Sequence, residues 1–161
     1  MRAPLGKHLA GIAVAAIGAL ALTVAAGAQT DPIVGTWKLD VAKSTYKPGP
    51  APKSATVVID AAGKGIKVAV DAAMADGPVK WGYTSARDGK DSPVTGNPSY
   101  DTANVTQSSP TESTIVYKKG GKTVMTVKAA VAKDGKTMTT TSDGTDAKGQ
   151  TVHNVAHYTK Q

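Results

Sequence analysis

The feature that most constrains this chain is a strict alternation of apolar and polar residues, broken at short intervals by glycine-containing turns. In "GIKVAVD", Ile66, Val68 and Val70 fall on one side and Lys67, Ala69 and Asp71 on the other. "VKWGYTS" sets Val79, Trp81 and Tyr83 against Lys80, Gly82 and Thr84, and "TVMTVKAAVA" sets Met125, Val127, Ala129 and Val131 against Thr126, Lys128 and Ala130. Earlier, Ile33, Gly35, Trp37 and Leu39 share a side. Side chains alternate across a strand, so a period of two describes a sheet with one buried face and one wet face. No long run with a 3.6-residue apolar period follows residue 28, and strands separated by turns are expected throughout.

The turns recur as "AAGKG" (61–65), "ADGP" (75–78), "RDGK" (87–90), "KKGGK" (118–122), "KDGK" (133–136) and "DAKG" (146–149). Asp-Gly and Gly-Gly pairs supply the positive φ that tight hairpins require, so each strand should pair with its neighbours in sequence. An open meander would expose two long edges, and closure removes them. The expected fold is therefore all-β, a single antiparallel up-and-down meander closed into a barrel of about eight to ten strands. Two segments interrupt the pattern. Residues 43–54, "KSTYKPGPAPKS", carry three prolines and read as an ordered surface loop or lid. Residues 87–102, with Pro93 and Pro98, leave room for at most a very short strand around Val94. Both are candidates for the mouth of the barrel.

The N-terminus reads as a targeting segment. Arg2, Lys7 and His8 precede an apolar run over residues 9–26, and Ala26-Gly27-Ala28 offers small residues where a signal peptidase cuts. A cleaved signal over 1–28 and a single domain over 29–161 are expected, with the product periplasmic or secreted. The chain has no cysteine, so no disulfide staples the domain and no thiol serves catalysis. Past residue 28 it has one leucine, Leu39, and no phenylalanine, so the core is built from valine, alanine and threonine with a few aromatics.

Arg2 and Lys7 leave with the leader and no acidic residue does, which lowers the formal net charge from +7 to +5. The remaining lysines are scattered over the turns and are not interleaved with aromatics, so no nucleic-acid surface is expected. No stable membrane insertion is expected once the leader is gone.

Residues fit for chemistry are sparse. His153 and His157 lie four apart on an expected strand, about 13 Å, too far to share a metal. With Val152, Ala156 and Tyr158 inward, both imidazoles face outward. No serine sits in a Gly-x-Ser-x-Gly turn, and no serine, histidine and carboxylate set can be assembled by spacing. Asp143 and Asp146 in "SDGTDAKG" lack the distal bidentate glutamate of a calcium loop and read as a solvated turn. No catalytic residue, metal site or cofactor is expected, and no enzymatic activity.

The segment "GTWKL", residues 35–39, opening the first strand of an all-β domain of this size, resembles the Gly-x-Trp start of the calycin barrels: lipocalins, fatty-acid-binding proteins and avidins. With "PVTGNPSYDT" and "KDGKTMT" as landmarks, nearly all of residues 31–161 is similar to small exported bacterial lipocalin-like proteins. The resemblance implies that Trp37 packs across the closed end of the barrel. The late arginine that lipocalins set against this tryptophan is missing, since no arginine follows Arg87. The stretch 40–54 is too short and too rich in proline for the helical lid of the fatty-acid-binding proteins.

Trp37, Trp81, Tyr83, Tyr117 and Met125 fall on expected inward faces and are the candidate ligand-binding residues. The leading expectation is an exported, non-catalytic barrel that binds a small apolar molecule, stacked on Trp37 or Trp81 and oriented by the hydroxyls of Tyr83 and Tyr117. The alternative is an envelope protein-interaction module, or a protease-inhibitor-like barrel, acting on a protein partner through the proline-rich loop 47–54.

Overall fold

The computed structural model describes residues 31–146 and 148–161. The expected signal segment, 1–28, lies outside the described residues. Ten strands follow one another: β1 (Gly35–Lys47), β2 (Ser54–Ala62), β3 (Gly65–Met74), β4 (Gly77–Ser85), β5 (Asp88–Thr95), β6 (Thr102–Ser109), β7 (Glu112–Lys119), β8 (Lys122–Val131), β9 (Thr137–Thr145) and β10 (Thr151–Lys160). Each pairs antiparallel with its sequence neighbours, and β1 pairs with β10, so the sheet closes on itself. The expected closed meander is found, with ten strands and no helix among the described residues.

Because the strands alternate in direction, loops collect at two rims. Segments 63–64, 86–87, 110–111 and 132–136 share one rim with the residues that precede β1 and follow β10. Segments 48–53, 75–76, 96–101 and 120–121, with residues 146 and 148–150, share the other. The two connections singled out for their prolines, 48–53 and 96–101, therefore lie at the same rim.

The alternation read from sequence fixes which side chains face inward. Cross-strand partners share a face, and Trp37 opposite Val57, Val57 opposite Val70, and Val70 opposite Trp81 carry one inward row from β1 to β4. At the rim that holds the N-terminal residues the interior is sealed. Trp37 is 0% exposed, and its Nε1–H donates to the Ile33 carbonyl at 2.8 Å. Lys160 lays its ammonium 5.0 Å from the centre of the Trp37 ring and donates to the Pro32 carbonyl at 2.9 Å. The last strand thus lays a lysine cation over the buried Trp37 ring. Arg87 closes the same rim, its guanidinium paired with Asp31 and donating to Gln107 Oε1 at 3.0 Å.

Three details differ from the sequence expectation. Residues 43–47 belong to β1, and the proline-rich connection shrinks to 48–53. The strand accommodates the extra length by a bulge, four residues of β1 between Asp40 and Thr45 standing against Ala156 alone. Ser44 repairs the ladder there: its hydroxyl donates to the Asp40 carbonyl at 2.7 Å and accepts the His157 N–H at 3.0 Å.

Second, the region around Val94 is a full strand, β5, despite Pro93. The Val94 N–H donates to Asp101 on the β6 side, so the proline nitrogen one residue earlier faces β4. There the β4–β5 ladder has already ended, with pairs only at Gly82–Thr95 and Tyr83–Val94, and a missing donor costs nothing. Third, "RDGK" is not a tight hairpin. Arg87 takes a positive φ of 59° in a short link, and Asp88, Gly89 and Lys90 already run in β5 beside β6.

Candidate functional site

The interior is not fully packed. A cavity of about 220 Å³ runs from Ile33 near the sealed rim toward Tyr100 and Asn154. Its walls have distinct chemistry because adjacent strands contribute different inward rows. Val57 and Ile59 of β2 with Ile66, Val68 and Val70 of β3 make an aliphatic wall. Trp81 and Tyr83 of β4, Tyr100 from the 96–101 connection and Tyr117 of β7 make an aromatic wall. Thr140 and Ser142 of β9 with Asn154 and Tyr158 of β10 make a wall with hydrogen-bonding groups.

The aromatic wall is one connected cluster. Tyr100 and Tyr117 stack with centroids 4.6 Å apart, and Trp81 meets the edge of Tyr117 at 5.5 Å and of Tyr100 at 6.0 Å. Tyr83 lies 6.2 Å from Trp81, nearly parallel to it, and 6.1 Å from Tyr117. Offset and edge-on contacts suit the ring quadrupoles, so the cluster holds itself without a charged partner.

Burial pushes the Tyr117 hydroxyl well above the ordinary tyrosine range, and the neighbouring Tyr83 hydroxyl adds to the shift. Burial raises Tyr83 as well, opposed by its hydrogen bond with Tyr117. Tyr158 is raised by burial first and then by Tyr46, with hydrogen bonding to Thr140 opposing. These phenols remain neutral donors and acceptors at any physiological pH.

Of the five residues singled out from sequence, Trp81, Tyr83, Tyr117 and Met125 line the cavity. Trp37 does not. It lies beneath the cavity, its ring packed against by Lys160 and its N–H taken by Ile33, so of the two tryptophans only Trp81 borders the cavity.

Sequence reasoning did not single out Tyr100, Asn154, Ser142 or Thr140, and it placed Tyr158 inward without assigning it to the site. For Asn154 a signal existed: with Val152, Ala156 and Tyr158 inward, period two puts Asn154 inward too, and a polar residue on a buried face asks for a partner. Tyr100 sits in an aperiodic connection and carried no such signal.

The residues weighed for other chemistry are engaged elsewhere. His153 is exposed and its Nδ1 lies 2.6 Å from Asp143 Oδ1 across the ladder, while His157 Nδ1 lies 3.2 Å from the Thr139 hydroxyl. Asp146 closes its own turn, accepting the N–H of Lys148 and of Gln150 at 2.8 Å each. Among the described residues lining the cavity, none is Asp, Glu, Lys, Arg or His, so no acid–base pair faces its contents. A larger hollow, about 880 Å³, lies on the solvent side of β2 to β5, where Ala69, Gly82 and Gly96 contribute little or no side chain. It is open and carries the exposed Lys80–Asp71 ion pair.

Fold and site together define a closed ten-stranded antiparallel β-barrel with a partly open internal cavity whose lining holds no Asp, Glu, Lys, Arg or His. No protein-family model matches the chain, and no curated protein does. Among solved structures it is similar to the siderocalin Ex-FABP, a protein described as functioning through dual ligand specificities. The two share 14% identity with a TM-score of 0.45, over 81% of this chain and 71% of that one.

Proposed function

We propose that this protein is an exported, non-catalytic binding barrel for a small, mostly apolar molecule, held in the internal cavity against Trp81 and near the hydroxyls of Tyr83 and Tyr117. The observation that carries the reading is the cavity itself, a partly open internal space of about 220 Å³ walled by aliphatic and aromatic side chains with hydroxyl and amide groups on one side. Sites for small ligands have this make-up, many apolar contacts and a few placed polar groups. The volume is below the usual range of roughly 300–1,000 Å³, which favours a compact occupant over a long lipid chain. A lining without Asp, Glu, Lys, Arg or His supports binding over catalysis. Export to the periplasm or medium rests on the leader-like segment 1–28.

Ala129→Leu separates a binding cavity from an imperfect core. Ala129 is 6% exposed and lines the cavity, so leucine there fills space that a ligand would take. If the space is real, stability changes by less than about 1 kcal/mol in urea unfolding, whereas overpacking a filled core costs about 1–3 kcal/mol. Ligand-dependent change in Trp81 emission disappears in the variant. Retained stability with retained binding would place the ligand elsewhere. If no apolar probe perturbs Trp81 in the unmodified protein, the proline-rich connection 48–53, largely exposed at the rim, becomes the surface to test against protein partners.

A further inference from the structure

One wall of the cavity can tell ligands apart. Ser142 and Asn154 are direct partners across the β9–β10 ladder, and both line the cavity. The orientation of the Asn154 amide is set by chemistry, since its Oδ1 accepts the backbone N–H of Lys47 at 3.1 Å. A backbone N–H can only donate, so the oxygen must face Lys47 and the amino group must point away from it. The side chain therefore offers the cavity a fixed donor, Nδ2, with the Ser142 hydroxyl beside it. Across the cavity stand the faces and edges of Trp81 and Tyr117.

Resting on the reading of this cavity as a small-molecule site, we infer that it selects compact, uncharged, planar molecules carrying a carbonyl oxygen. Asn154 Nδ2 and the Ser142 hydroxyl take the oxygen, and the planar body lies against Trp81 and Tyr117. The charge requirement follows from the lining, which holds no Asp, Glu, Lys, Arg or His to offset the desolvation of an ion. The acceptor requirement follows from the donors, because an occupant with an oxygen in reach gains hydrogen bonds from Asn154 Nδ2 and the Ser142 hydroxyl that one without it does not. Discrimination of that kind is much stronger than discrimination by a methylene.

Three probes of similar size isolate the two requirements: acetophenone, α-methylstyrene, which replaces the oxygen by a methylene, and benzoate, which adds a charge. Binding is read from the methyl resonances of Met125 and Ala129, both on the lining. Acetophenone is expected to bind at least about tenfold more tightly than either of the others. Asn154→Leu should abolish the preference over α-methylstyrene while leaving α-methylstyrene binding intact, and the smaller change Ser142→Ala should weaken acetophenone alone. Equal affinities for acetophenone and α-methylstyrene, tightest binding of benzoate, or a preference that survives Asn154→Leu would overturn the inference while leaving the cavity as a binding site. Failure of all three probes to shift either methyl group would overturn the reading of the cavity as well.

Discussion

Trp37 and Trp81 divide the work that a sequence reader would assign to either of them. Trp37 is completely enclosed, with Ile33 on its N–H and Lys160 over its ring, and it seals the rim. Trp81 is half-buried, belongs to the aromatic cluster and borders the cavity. Trp37→Ala is expected to lower unfolding free energy by about 3–5 kcal/mol, the range for deleting a large buried aromatic. Lys160→Met keeps much of the packing but removes the cation, and should cost about 0.5–2 kcal/mol. Urea unfolding measures both, and a Lys160→Met loss near zero would show that the ammonium adds nothing at this rim. The site was half legible at this scale. Period-two reading put Trp81, Tyr83, Tyr117 and Met125 inward because each sits in an unbroken alternating run. It could not find Tyr100, whose place is set by the path of a loop, and it did not single out Asn154.

Strands of this barrel are held in register by a few positions where geometry leaves no freedom. Gly65 is one: a Cβ there would lie 2.0 Å from the Ser85 carbonyl oxygen, so the β3 and β4 backbones approach as only glycine allows. Gly65→Ala should destabilise by about 1–3 kcal/mol as the ladder end is forced apart. Ser44→Ala removes the hydroxyl that bridges Asp40 and His157 across the β1 bulge, leaving two ladder groups without partners, and should cost about 1–3 kcal/mol. Hydrogen exchange at His157 tests this locally, since its amide should lose protection in the variant while amides of β6 and β7 keep theirs. Most of the element pattern could be read from alternation and turn residues. What could not be read was tolerance. Proline at 93 marked a break on paper, yet its nitrogen faces the seam where β4 and β5 have separated, and a strand forms. The length of β1 was equally hidden, because a bulge lets a strand continue past the point where its register fails.

Considered whole, the barrel has no disulfide and few large aliphatic residues, so its interior depends heavily on buried phenols. Tyr83, Tyr117 and Tyr158 all have folded-state values raised chiefly by burial. A raised value favours the neutral form in the fold. The stability each contributes is fully present below the unfolded tyrosine value and is lost as pH climbs above it toward the folded one. Above about pH 10 the unfolded chain ionises while the fold does not, and each such tyrosine lowers stability by about 1.4 kcal/mol per pH unit. Unfolding free energy should therefore fall steeply above that pH, and Tyr117→Phe should flatten the fall. A slope unchanged in that variant would mean that Tyr117 ionises within the intact fold. The same neutrality keeps the cavity uncharged throughout the range in which it would meet a ligand.

The most direct measurement is native mass spectrometry of the protein isolated without denaturation from cells that make it, beside its Ala129→Leu variant prepared in the same way. A reproducible small-molecule adduct is expected on the unmodified protein and the bare polypeptide mass on the variant. An adduct retained by Ala129→Leu would contradict this expectation, and so would a bare mass for the unmodified protein together with Trp81 emission that no small apolar carbonyl compound alters.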